Sequence, residues 1–124
     1  MNYNNKNNKK FMATLNALER LKKAANLEPI RKEVTLSDNS IFEMYVTPLT
    51  MAERERAQKQ ARSDDTNAFA LQLLINKALD ENGVKMFNAG EVDILKNEVK
   101  DSDLQALMLA VINAEEDEPI DPKS

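Results

Sequence analysis

The 124-residue chain has no cysteine and no histidine. Without cysteine there is no disulfide framework and no thiol chemistry, and a reducing compartment is permitted. Without histidine the commonest zinc ligand and the commonest acid–base group near pH 7 are gone. Two glycines leave no phosphate-cradling loop. No apolar run approaches the roughly 18–20 residues that span a bilayer. The first ten residues, MNYNNKNNKK, lack the apolar centre of a secretory signal. These absences argue against an enzyme, against a bound metal or cofactor, and against a membrane protein. What remains, with 42% apolar and 31% charged residues, suits one small soluble intracellular domain with a modest core.

The charge is unevenly placed. Residues 1–32 carry eight Lys/Arg and two acids, residues 33–114 carry eight and fourteen, and the last ten carry one and five. A basic head joined to an acidic body and tail favours charge-steered contact with a partner or with a second copy. Two solvated ends that serve solubility would produce the same distribution.

Residues 1–10 are rich in Asn and Lys and read as a disordered arm. From Phe11 to about Asn26, the residues Phe11, Leu15, Leu18, Leu21 and Ala25 recur at helical spacing, and Pro29 ends the helix. The segment over about 30–46 reads as a β-hairpin. Its turn is Ser37-Asp38-Asn39-Ser40, where Asp and Asn tolerate left-handed dihedrals. Thr50 and Glu53 have the spacing of a capping box and open a second helix to about Arg62. That helix has only Ala57 and Ala61 as an apolar stripe beyond Met51, so it is expected to be largely exposed, with a Glu55–Lys59 pair on its surface.

Ser63 to Thr66 caps a third helix that is expected to run to about Glu81. Leu71, Leu74, Ile75, Ala78 and Leu79 form its broad inward face. Phe69 and Leu73 fall on nearly the opposite side, so the helix is either central to the domain or offers that pair to a partner. Asn82-Gly83 is a helix stop, and Val84 to Phe87 is extended. Asn88 and Glu91 open a helix to about Glu98, with Val92 and Leu95 inward. Asp101-Ser102 opens a last helix to about Asn113 with the apolar face Leu104, Leu107, Met108, Val111 and Ile112. From Glu115 the sequence reads as an acidic disordered tail. The expected fold is mainly α with one short β-hairpin (α+β), about five helices in a single domain over residues 11–114.

No constellation carries catalysis. Asp80, Asn82 and Gly83 share residue types with a calcium loop, but the glycine comes two positions early and no glutamate closes the loop. The acidic pairs at Asp64-Asp65 and Asp101-Asp103 sit at helix starts, where carboxylates favour the dipole. Lys6, Lys9, Lys10, Lys22 and Lys23, and a second group at Arg54, Arg56, Lys59 and Arg62, could meet phosphates. The acidic chain and the core-like placing of its aromatics disfavour nucleic acid.

The order of these elements is informative as a whole. A helix precedes the hairpin and capped turn VTLSDNSIFEMYVTPLTMAER, a central helix leads into LDENGVKMFNAGEVDIL, and LQALMLAVINA closes the domain. This resembles the tail assembly chaperones of long-tailed bacteriophages, in which a strand pair leads to a PLT-x-x-E segment and a D-E-N/D-G-x-x-x-F segment precedes an acidic helix. Here those positions are Val34 to Val46, Pro48 to Glu53, and Asp80 to Phe87. The likeness covers about Phe11 to Ala114 and is one of order, not of a diagnostic motif.

The resemblance implies a non-catalytic protein. It would bind the tape-measure protein and help recruit major tail (tube) protein subunits in the host cytoplasm during infection, and it would be absent from the mature virion. The tape-measure protein is a long helix, so the client surface should be an apolar strip that accepts helices. Two candidates are the stripe Phe11, Leu15 and Leu18, and the pair Phe69 and Leu73; ordinary core residues would show the same spacing. Two other functions compete: a structural head–tail adaptor or minor virion protein, and a small regulatory nucleic-acid-binding protein.

Overall fold

The computed structural model describes residues 16–115. The Asn/Lys-rich arm, Phe11, Leu15 and residues 116–124 lie outside the described residues. The mainly helical architecture with a single hairpin is as expected. A first helix, α1, covers residues 16–25 and is followed by strands β1 (Ile30–Thr35) and β2 (Ile41–Val46). Helices α2 (Met51–Ala61) and α3 (Thr66–Lys77) come next. After a short 3-10 turn (Ala89–Glu91), α4 (Val92–Glu98) and α5 (Asp101–Ile112) complete the order.

The hairpin is antiparallel, with Ile30 opposite Val46, Lys32 opposite Met44 and Val34 opposite Phe42. Alternation along a strand sends these residues inward, where Val34, Met44 and Val46 are buried. Lys32 interrupts that face, which is why the alternation in β1 is loose. Its ammonium donates to the Asn113 carbonyl at 3.4 Å, just beyond α5. On the outer face Glu33 stands opposite Glu43, and Arg31 pairs with both carboxylates. At the turn, Asp38 accepts from the Ser40 amide at 2.9 Å, and Asn39 takes φ 71°.

α2 starts where its cap requires. Thr50 Oγ1 accepts from the Glu53 amide at 3.2 Å, and Glu53 Oε1 accepts from the Thr50 amide at 3.0 Å. As expected, the helix is largely exposed, with Ala57 its one buried residue. The expected Glu55–Lys59 ion pair is not formed among the described residues.

α3 is the centre of the body, packed against both α2 and α5. Two expectations fail at its C-terminal end. The helix stops at Lys77, four residues short of Glu81, and Asn82-Gly83 is a turn between extended segments, not a helix stop. The reason is competition for the backbone. Leu79 exchanges two hydrogen bonds with Tyr45 on the outer edge of β2, at 2.8 and 2.9 Å. The chain then doubles back through a turn at residues 80–83, and Met86 donates to the Ala78 carbonyl at 2.9 Å. Asp80 Oδ1 holds this turn by accepting from the Asn82 and Val84 amides, and Gly83 supplies φ 81°. Covering a sheet edge outweighs one more turn of helix here. Phe87 stacks on Phe42 with ring centroids 6.4 Å apart, fastening this return to the hairpin.

Asn88 and Glu91 cap each other's backbone amides as expected. The α5 cap differs from expectation. Lys100 occupies the N-cap without a side-chain bond, and Asp101 already lies in the first turn. The α5 face is inward at Leu104, Leu107, Met108 and Val111, but Ile112 is 41% exposed and does not belong to it.

Candidate partner-binding surfaces

Every described residue of α1 is exposed, and so are residues 26–29 that follow it. Leu18 and Leu21, one turn apart on the expected stripe, are 63% and 68% exposed. The body meanwhile closes its core without them, through Met44, Val46, Leu73, Leu74, Ile75 and Val111. Leu18 therefore stands as an accessible apolar group on an amphipathic helix. The two stripe residues before it, Phe11 and Leu15, lie outside the described residues.

The other candidate pair is separated by the structure. Leu73 is 1% exposed and belongs to the core, so it is not a partner-binding residue of the folded domain. The cause is the second apolar face of α3. Phe69, Leu73 and Lys77 follow one another at intervals of four, and this stripe turns toward α2, whose Ala57 is small enough to allow close approach. The helix is central to its own domain. Phe69 is half-buried against the core and lines an open hollow with Gln58, Ser63, Asp64, Asp65 and Thr66, so it remains partly accessible.

A polar junction sits on that same stripe. Lys77 is 4% exposed, and its ammonium donates to Glu53 Oε1 at 2.7 Å and to Thr47 Oγ1 at 2.9 Å. Burial pushes the Glu53 carboxyl up, but the bonds from Lys77 and the Thr50 amide together outweigh it and hold the group below its ordinary value. The junction ties the entrance of α2 to the end of α3. Sequence reading found Glu53 as a capping residue but missed Lys77; the signal was a lysine in register with two apolar residues.

A groove of about 440 Å³ lies between α3, α4, α5 and the end of α2. Ala68, Leu71, Ile75, Val92, Leu104 and Met108 provide its apolar floor, and Asp65, Asp101 and Lys96 stand among its polar lining. No sequence pattern pointed to it, because its walls come from four separate elements. Among the described residues no group of three or more Asp, Glu, His or Cys is placed to hold a metal ion. No described helix is long and apolar enough to cross a membrane. The cations Arg54, Arg56, Lys59 and Arg62 are exposed, but helical geometry spreads them around α2 instead of along one face. Comparison with protein-family models, with curated proteins and with solved structures finds no match to this chain.

Proposed function

We propose that this protein is a non-catalytic tail assembly chaperone of a long-tailed bacteriophage. In this reading the apolar stripe of α1 holds a helical client, the tape-measure protein, while tail-tube subunits are recruited. The observation that carries the reading is the pair Leu18 and Leu21, well exposed on a helix beside a body whose core is closed without them. An amphipathic helix whose described residues are all exposed is suited to pairing with a long client helix through residues at intervals of three and four.

The resemblance in element order supports the same reading. The hairpin over Val34 to Val46, the capped turn from Pro48 to Glu53 and the turn from Asp80 to Phe87 are discrete structural units at the positions where the resemblance lies. Phe11 and Leu15 extend the proposed client stripe. Phe69, only partly buried, is retained as a second contact, and the buried Leu73 is not part of the surface. The proposed place of action is the host cytoplasm during infection, with no retention in the finished particle.

The test is co-expression with the tape-measure protein of the same genome. The expected result is a soluble client that co-purifies with this chain, and loss of both effects in Leu18→Asp with Leu21→Asp. A client that stays insoluble beside the folded wild-type chain would overturn the reading.

A further inference from the structure

We propose that, in the absence of client, α1 of one copy seats in the α3–α4–α5 groove of a second copy, so that two chains exchange helices. The argument starts from two complementary features that do not meet within one chain. α1 carries an exposed apolar pair, Leu18 and Leu21, flanked by Arg20, Lys22 and Lys23 and by a single acid, Glu19, which Lys22 already pairs with at 3.5 Å. The groove has an apolar floor, with Asp65 and Asp101 against the single cation Lys96 on its lining, and the hollow beside it adds Asp64. The same complementarity holds for the whole segments: six net positive charges over residues 1–32 and six net negative charges over residues 33–114.

The charge pattern assigns the occupant to a second copy, since within one chain every described α1 residue is exposed and none lines the groove. The α5 residues that line the groove are Asp101, Leu104, Gln105 and Met108. Asp103, which accepts from the Ser37 amide at 2.8 Å, marks the side of α5 that faces the hairpin. At 100° per residue Asp103 lies roughly 150° around the helix from the groove-lining set. α1 leaves the domain at Ile30, the end of the hairpin remote from Ser37. The hairpin from which α1 extends thus lies on the opposite side of α5 from the groove. Reciprocal exchange between two copies closes the arrangement and buries both stripes at once. It also shelters apolar surface that a client would otherwise have to find unoccupied.

The full-length chain without client tests this by sedimentation equilibrium. The expected result is a concentration-dependent dimer that weakens roughly tenfold between 50 and 500 mM NaCl, as exposed charges are screened. Leu18→Asp with Leu21→Asp should weaken it by about a hundredfold or more, and the urea midpoint of the body should be unchanged, since both side chains lie outside its core. Because the chain has no cysteine, one preparation carrying Leu21→Cys and another carrying Gln72→Cys can be mixed under oxidising conditions, and the expected product is a disulfide-linked heterodimer. A wild-type chain that is monomeric up to about 100 μM would overturn the proposal. So would a dimer indifferent to the Leu18 and Leu21 changes, or mixing that yields no Leu21–Gln72 crosslink. None of these measurements involves the client, so failure here is separable from failure of the chaperone reading.

Discussion

Replacing Leu73 with alanine should cost about 3 kcal/mol of stability, whereas the same change at both Leu18 and Leu21 should cost almost nothing. Leu73 is 1% exposed and sits one turn before Lys77 on the α3 face that meets α2. Losing its buried carbons removes about 2–2.5 kcal/mol of transfer free energy. The cavity left between packed helices adds to that, and buried Leu→Ala changes run at about 2–5 kcal/mol. For a domain of this size, with a total of about 5–10 kcal/mol, that is roughly a third to three-fifths of its net stability. Urea unfolding followed by far-ultraviolet circular dichroism is the assay. With a slope of about 1.5 kcal/mol per molar, the midpoint should fall by about 2 M at unchanged slope. Leu18→Ala with Leu21→Ala, measured as a monomer, should stay within about 0.5 kcal/mol of wild type. A Leu73→Ala midpoint within experimental error of wild type would refute the placing of Leu73 in the core, and with it the division between a closed body and an external helix.

Thr50→Ala should lower stability by about 1 kcal/mol, because it removes one half of the capping box that opens α2; thermal melting checks this. Gly83→Ala should also cost about 1 kcal/mol: an added Cβ meets nothing within 4 Å, so the whole penalty is the φ of 81°. Glu53→Gln should change how stability depends on pH. The Glu53 carboxyl is held below its ordinary 4.5 in the folded protein, so its contribution is complete above that value and is lost as pH falls through the depressed folded value. The melting-temperature gap between wild type and Glu53→Gln should therefore be widest near pH 6–7 and narrow below about pH 4; a gap independent of pH would show that the Lys77–Glu53 contact carries no linked proton.

Elements fixed by local chemistry were legible in the sequence. The hairpin needed only a turn of Ser, Asp and Asn between two short apolar runs, and it folds with Asn39 in the left-handed region. The starts of α2 and of the 3-10 turn before α4 were legible from Thr50 with Glu53 and Asn88 with Glu91, because a cap is a contact between residues three apart. What depended on distant partners was not legible. The end of α3 was misplaced because Ala78 and Leu79 suit a helix face as well as an extended segment. The choice is made by Tyr45, more than thirty residues away, which offers its backbone to Leu79. The same limit applied to the candidate surfaces. Spacing alone could not distinguish Leu18, which stands in solvent, from Leu73, which α2 covers, because both recur at helical intervals.

The position of α1 bears on how binding energy would be used. Most helical stability in proteins comes from tertiary packing of an apolar face, and α1 has none from its own body. A partner that covers Leu18 and Leu21 therefore supplies the packing the helix lacks, and part of its binding energy orders the helix it contacts. In the proposed role that cost would limit affinity without limiting the length of client surface covered, because many copies could each hold one short stretch of a long helix. Under the proposed function, in which the client is released as assembly proceeds, such a grip serves better than a deep pocket. The contacts that tie the fold together, from the sheet edge covered by Leu79 to the Lys77–Glu53 pair, lie in the body; the two most exposed leucines lie on the helix outside it. The core lies in the body and the proposed contact lies on α1, so substitutions at Leu18 and Leu21 should test the proposed function without disturbing the fold.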